Sequence, residues 1–246
     1  MATHPHAPLP RSAVQANRLL AVMPHDALER LLQVTEKVSW VSGDVLYDAD
    51  GDLKHVYFPA DVIVTLLLES SGRPTTKVAM VGREGMVGVS AFMGGAPPPG
   101  RAVVLNNGYA FKMPAAALKA EFDRNGPAMR LLLRYTQSLV TQMAQTAVCN
   151  RHHVVEQQIC SWLLTCMDRM KGRELAVTHE VIAGMLGVRR EGITEAAGVL
   201  RELGLIAYSR GHINVLDREG VQARACECYQ VVKRETDRLL PDRPAS

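Results

Sequence analysis

The chain has 246 residues, 47% hydrophobic and 22% charged, which excludes a disordered polymer and allows one large or two modest domains. A net charge of +3 is too small to carry nucleic-acid binding as a bulk property, so any such surface has to be local. No apolar run is long enough to cross a membrane and the N-terminus lacks a signal-peptide pattern. The five cysteines, all after residue 148, do not read as a disulfide framework, and a reducing cytoplasm is the expected location.

Residues 1–16 open with MATHPHAPLPR, proline-rich and aperiodic, and read as a mobile arm in which His4 and His6 are solvated side chains rather than metal ligands. Leu19, Leu20, Leu28, Leu31 and Leu32, arranged around Pro24-His25-Asp26, predict two short helices. From Val38 to Met113 the texture changes to short β-rich runs at 45–47, 56–58, 62–68, 77–81, 87–92, 103–105 and 110–113. Gly43-Asp44, Asp50-Gly51-Asp52, Ser71-Gly72, Gly82, Gly94-Gly95 and Asn107-Gly108 punctuate them. Strands at this spacing predict an antiparallel sandwich or barrel.

Residues 128–150 contain neither proline nor glycine, and Met129, Leu132, Leu139 and Met143 recur with heptad-like spacing. A buried helix of one monomer would show much the same pattern. A parallel dimer helix fits better, because the period approaches the coiled-coil value and polar seam residues such as Thr136 can fix register. The predicted interface is Met129, Leu132, Thr136, Leu139 and Met143. A further helix is expected over 154–170, with Ile159, Leu163 and Met167 on one stripe and Cys160 and Cys166 as packing residues. His152, His153 and Glu156 have metal-ligand spacing but read as a solvated turn between domains. Cys226-Glu227-Cys228, two apart on one helix, should point to different faces. No metal and no cofactor is predicted.

The most informative stretch is 178–216, THEVIAGMLGVRREGITEAAGVLRELGLIAYSRGHINVL. Two helical apolar patterns flank Gly187, which supplies the positive φ of a tight helix–helix turn. Ala183 is small enough for the helices to cross closely, and Ile193 can close the core between them. This is helix-turn-helix spacing, with the second helix offered to a DNA major groove. That helix begins Arg189-Arg190-Glu191; a guanidinium can pair with guanine O6/N7, and a carboxylate can accept from cytosine N4. Runs at 205–208 and 212–216, joined by Ser209-Arg210-Gly211, look like a two-stranded wing with a cationic tip suited to phosphate. The expected DNA contacts are Thr178, Arg189, Arg190, Glu191, Thr194, Glu195, Arg210 and His212. Two ordinary packed helices with a charged surface are the alternative. Asp217 can cap a last helix whose apolar face is Val221, Ala225, Cys228, Val232 and Leu239.

These residues resemble the winged helix of the Crp/Fnr family of bacterial transcription regulators, whose reading helix carries an Arg-Glu pair and, four residues on, a second arginine. Arg190 and Glu191 match the pair. Glu195 stands in place of the second arginine, and Arg189 in place of a capping hydroxyl residue. The phrases WVSGDVLY, HVYFP and GREGMVG are similar to the family's β-roll sensor domain. The resemblance thus implies an α+β protein with a cyclic-nucleotide-binding-like antiparallel β-roll over 17–125. A long dimerisation helix follows over 126–151, and a C-terminal winged helix-turn-helix over 152–246.

Cyclic-nucleotide-binding members place a glutamate directly after a glycine to hold the ribose, then an arginine to hold the phosphate. Here Gly88 is followed by Val89, which cannot accept a ribose hydroxyl hydrogen bond. Arg101 is the candidate phosphate ligand, while Glu84 sits before Gly85 and would need a different loop path. Glu84, Gly88, Val89 and Arg101 are the effector-pocket candidates, and cyclic AMP is not expected to bind in the family manner. The absence of cysteine before Cys149 excludes the N-terminal iron–sulfur cluster of oxygen-sensing members. The resemblance implies a dimeric regulator on an inverted-repeat operator, with double-stranded DNA, a second copy, RNA polymerase and an unidentified small molecule as partners. A sensor scaffold that has lost DNA binding, favoured by Glu195, is one competitor. A β-barrel enzyme is the other, and no nucleophile–base pair, carboxylate pair or metal triad with supporting spacing appears in the barrel region.

Overall fold

The computed structural model describes residues 9–47, 53–70, 73–94, 100–170 and 172–240. His4 and His6, the turn Asp50-Gly51-Asp52, Ser71-Gly72 and Gly95 lie outside them. Within the expected arm, Arg11–Ala16 form a 3-10 helical turn and Val14 is fully buried, because it packs with Leu19, Leu20 and Phe58 in the sensor core. Two short helices follow, α1 (Arg18–Ala21) and α2 (His25–Leu32). Asn17 caps α1 by accepting from Leu20 N, and its amide donates to the carbonyls of Pro59 and Gly85, both at 2.8 Å. A buried Asn is thereby satisfied three times, tying the N-terminal helices to the sheet.

Among the described residues, seven strands build the β-roll: β1 (Glu36–Trp40), β2 (Val45–Tyr47), β3 (His55–Pro59), β4 (Val64–Ser70), β5 (Arg73–Val81), β6 (Arg101–Val104) and β7 (Gly108–Pro114). They form two antiparallel sheets with orders β1-β7-β3 and β2-β6-β4-β5. Val56 and Phe58 of β3 point inward together, and Phe58 faces Phe111 of β7 in register. The strand expected over 87–92 does not form. Val87 makes one isolated bridge to Tyr57, Gly88 takes φ +102°, and Ser90–Met93 turn into a short helix, α3. That positive φ ends the extended run where hydrophobicity alone would continue it. A helix not expected from the sequence, α4 (Ala115–Asp123), lies against α3 and β7.

α5 (Pro127–His152) has Pro127 at its first position, where the absent N–H costs nothing, and spans about 39 Å. Ala128, Leu131, Leu132, Tyr135 and Leu139 are buried against the sensor. Tyr135 donates its hydroxyl proton to Met86 O at 2.6 Å, and its ring leaves no room for a Cβ at Gly85. Gln142 accepts from Met80 N at 2.6 Å, so α5 satisfies part of the edge strand β5.

The C-terminal domain comprises α6 (Val155–Arg169), β8 (Glu174–Ala176), α7 (His179–Leu186), α8 (Arg190–Glu202), β9 (Ile206–Ser209) and β10 (His212–Val215). Its core surrounds Trp162, Leu163, Ile182, Ile193 and Leu200, and runs on into Ile63, Met80 and Leu105 of the sensor. The expected single terminal helix is broken in two. Asp217 caps α9 (Arg218–Arg224), Ala225 is extended, and α10 (Glu227–Leu239) then packs along α5. Leu239 and Leu240 end in the sensor core, and Arg18 Nη1 reaches Asp237 Oδ1 at 2.9 Å. Part of the expected apolar face was therefore written for the sensor and not for the winged domain. Among the described residues no helix is long and apolar enough to cross a membrane.

Candidate nucleic-acid interface

The turn between α7 and α8 forms as its residues require. Thr178 caps α7 by accepting from Val181 N at 3.3 Å, and Gly187 adopts the left-handed conformation at φ 67°, ψ 31°. Val188 N–H donates to Ala183 O at 3.1 Å, and Ala183 and Ile193 are buried between the crossing helices. α8 begins without a side-chain cap, since Arg189 occupies that position. Arg189, Arg190, Glu191, Thr194 and Glu195 all lie on its exposed face, while Ile193, Ala196, Ala197 and Leu200 hold the opposite face in the core. The face bears two cations and two carboxylates, so its balance is near neutral and selectivity has to come from hydrogen-bond pattern rather than bulk charge.

The wing is three-stranded, in the order β8-β10-β9, with His212 paired to Ser209 across the hairpin. Arg210 (φ 48°) and Gly211 (φ 81°) make its two-residue turn, the conformation that best fits the twist of a tight hairpin. Arg210 is thus placed at the tip, and His212 directly follows the turn at the start of β10, where its Nδ1 lies 2.9 Å from Glu174 Oε1. β8 was not legible as a strand because only three residues of it pair.

His179 was not among the expected residues, yet it joins the three parts of the site. Its ring stacks on Tyr208 of the wing at 4.1 Å, and its Nδ1 lies 3.0 Å from Thr194 Oγ1 on the reading helix. Burial, then the nearby Arg190 cation, hold its pKa below the ordinary histidine value, so the ring is neutral near pH 7. Thr194 also donates to Arg190 O at 3.1 Å. Nothing in the sequence marks this bridge, because its partners lie in other elements.

A family model described as the Crp-like helix-turn-helix domain matches residues 157–224. The chain carries a Crp-like helix-turn-helix domain on a Crp/Fnr fold. Solved structures similar over most of the chain include a Crp/Fnr-family protein from Eubacterium rectale (17% identity, 82% of this chain and 94% of that one, TM-score 0.65). A CRP-family transcriptional regulator from Thermus thermophilus is similar at 18% identity over 76% and 96% of the two chains, with a TM-score of 0.63. FixK2 from Bradyrhizobium japonicum is similar at 16% over 78% and 98%, with a TM-score of 0.61. The sequence has no significant match among curated proteins.

In this Crp/Fnr fold the four expected effector residues do not converge. Glu84 is turned away to Arg169 of α6, whose Nε donates to it at 2.6 Å. Val89 packs its side chain among core residues, and Gly88 lies beside Val56 and Leu53. Arg101 alone lines the cavity of about 400 Å³ between the second sheet and α5, with Tyr47, Leu66, Lys77 and Met143 among its neighbours.

The expected dimer seam also needs correction. Leu132, Thr136 and Leu139 are buried within their own chain and Met143 packs against the second sheet, because the sensor occupies that side of α5. Met129 is only half-buried. The face left open carries Leu133 and Val140, 45% and 53% exposed, with Gln137, Ala144 and Ala147 also exposed. Those five alternate at spacings of four and three residues, a heptad-spaced stripe that this chain leaves uncovered.

Proposed function

We propose that the protein is a Crp/Fnr-type DNA-binding transcription regulator that binds an inverted-repeat operator as a two-fold dimer in the cytoplasm. Arg190 and Glu191 read base edges in the major groove, with Arg189, Thr194 and Glu195 beside them. Thr178, Arg210 and His212 engage the sugar–phosphate backbone. The observation that carries this reading is the exposed polar face of α8, presented beyond a turn whose cap, left-handed glycine and small crossing residue are all in place. Two chains meet through the open stripe of α5 around Leu133 and Val140. A two-fold axis along that helix repeats the reading face once, and identical half-sites follow. RNA polymerase is the partner through which such binding affects transcription.

The effector is a small molecule other than cyclic AMP bound in the cassette manner. What supports this is Val89, apolar where a ribose acceptor is needed, together with the engagement of Glu84 by Arg169. The largely apolar cavity beside Arg101 and Lys77 is the proposed effector site.

Selection of bound sequences from a randomised duplex library tests the reading. The expected product is a palindrome whose half-site centres are separated by about 34 Å, one helical turn. Enrichment of a single asymmetric site, or of no sequence at all, would reject it.

A further inference from the structure

The end of α5 and the start of α10 meet in a cluster that the reading face does not use. Cys149 and His153 lie one helical turn apart at the C-terminus of α5. Cys226 is the N-cap of α10, and Cys228 follows inside its first turn. The break at Ala225 is what turns both cysteines of Cys226-Glu227-Cys228 toward α5, where a continuous helix would have splayed them. The ligand atoms of Cys149, His153, Cys226 and Cys228 all lie within 4.8 Å of one another. Cys149 Sγ is 3.6 Å from Cys226 Sγ, and Cys228 Sγ is 3.6 Å from His153 Nδ1.

Those separations decide between two chemistries. A disulfide requires about 2.05 Å between sulfurs, and all five cysteines are free. A tetrahedron of thiolates and imidazole around zinc, with bonds of about 2.3 Å and 2.0–2.1 Å, has edges of roughly 3.4–3.8 Å. The two short contacts already have that length. The widest pairs need to close by about 1 Å, which side-chain rotation supplies.

The surroundings match a metal site as well. His153 Nε2 lies 3.2 Å from Glu227 Oε1, the carboxylate partner that fixes a ligating imidazole with Nδ1 turned inward. Ser161 Oγ is 3.1 Å from Cys226 Sγ, and Gln158 Nε2 holds the carbonyl of His153 at 2.8 Å. Thiols bind such a cation as thiolates, so metal binding would release their protons. Lys77 lines the adjoining cleft together with Cys149 and Cys228.

We propose that Cys149, His153, Cys226 and Cys228 form a Cys3His site for a thiophilic divalent cation, zinc first among them. Four protein ligands leave no open position, so the site is structural and not catalytic. It staples the end of α5 to α10, and α10 in turn anchors in the sensor through Leu239 and Leu240. Occupancy fixes the joint from which the reading domain departs.

Cobalt(II) titration of the full chain, reduced and freed of metal by chelation, tests this. The expected result is saturation at one cobalt per chain, with intense tetrahedral d–d bands and thiolate charge-transfer absorption that zinc bleaches. Cys226→Ala and Cys228→Ala should each abolish the charge-transfer band, and Glu227→Gln should weaken binding by about 10–100-fold. Cys160→Ala, in the neighbouring core, should leave the spectrum intact. A variant that fails to fold does not stall the test, because zinc should raise the melting temperature of the wild-type chain and a chelator should reverse the rise. A weak octahedral spectrum in the wild type, a spectrum unchanged in the Cys226→Ala/Cys228→Ala pair, or no zinc-dependent shift in melting would each overturn the site.

Discussion

Arg169 and Glu84 form a buried ion pair between the two halves of the protein, the guanidinium Nε donating to Oε1 at 2.6 Å. Their side chains are 7% and 14% exposed, so both charges are largely removed from water. Gly82 N–H donates to the same carboxylate oxygen, and a Cβ at Gly82 would meet Arg169 Cβ at 2.5 Å. The loop after β5 is therefore shaped around a side chain of α6. An effector in the sensor can move the reading head only by binding two arrangements unequally, and any rearrangement of this joint has to break or keep this pair.

Removing one partner should destabilise the chain by about 3–5 kcal/mol, because it strands the other charge in a desolvated site. Arg169→Met and Glu84→Leu should each show that loss in urea denaturation, and the double variant should recover much of it. Losses that simply add would show the two residues to be energetically independent, whatever their geometry.

α5 separates stability from assembly. Val140→Asp and Leu133→Asp place a charge on the open stripe, and should give folded monomers in place of the proposed dimer. Leu132→Asp and Leu139→Asp bury a charge in the chain's own core and should unfold the sensor. Light scattering with circular dichroism distinguishes the pairs. A dimer unaffected by Val140→Asp would move the interface off this helix.

The contrast between these two stripes marks where sequence reading stopped. Leu132 and Leu133 are adjacent leucines, and periodicity establishes that a stripe exists without saying which neighbour covers it. The winged helix was legible because its signals are local: Thr178 caps, Gly187 turns and Ile193 packs within one short stretch. The β-roll was legible as a class, yet Gly88 diverted the run at 87–92 through backbone conformation that hydrophobicity does not encode. His179 and the Cys149–Cys226 contact depend on elements far apart in sequence, and no spacing rule reaches them.

His179 should make the winged domain acid-sensitive. Its folded pKa lies below the ordinary 6.5, so the unfolded chain binds the proton more readily. Stability is therefore complete above 6.5 and falls as the pH drops from there toward the lowered folded value. His179→Phe keeps a ring on Tyr208 and removes the titration. Urea midpoints measured between about pH 5 and 8 should fall for the wild type and flatten in the variant. His55 of the sensor is also held down, chiefly by burial, and His55→Phe supplies the control for its share. Equal slopes in wild type and His179→Phe would place the acid sensitivity elsewhere.

The reading face can be tested by separating base contacts from backbone contacts. Arg190 is exposed at the start of α8, where a guanidinium reaches the major-groove edge of guanine. Arg190→Ala should cost about 1–3 kcal/mol per half-site and relax preference at one base position. Arg210 sits at the wing tip, so Arg210→Ala should weaken every sequence alike and lower the salt slope by about one phosphate contact per half-site. Glu195 lies one turn after Glu191 on the same exposed face, and its carboxylate repels the phosphates that flank the groove. Glu195→Arg exchanges that repulsion for attraction and should tighten binding while steepening the salt dependence. Gel shifts against the selected operator and single-base variants, at several salt concentrations, resolve the three signatures. Should Arg190→Ala leave both affinity and base preference intact, α8 is not the element that reads DNA.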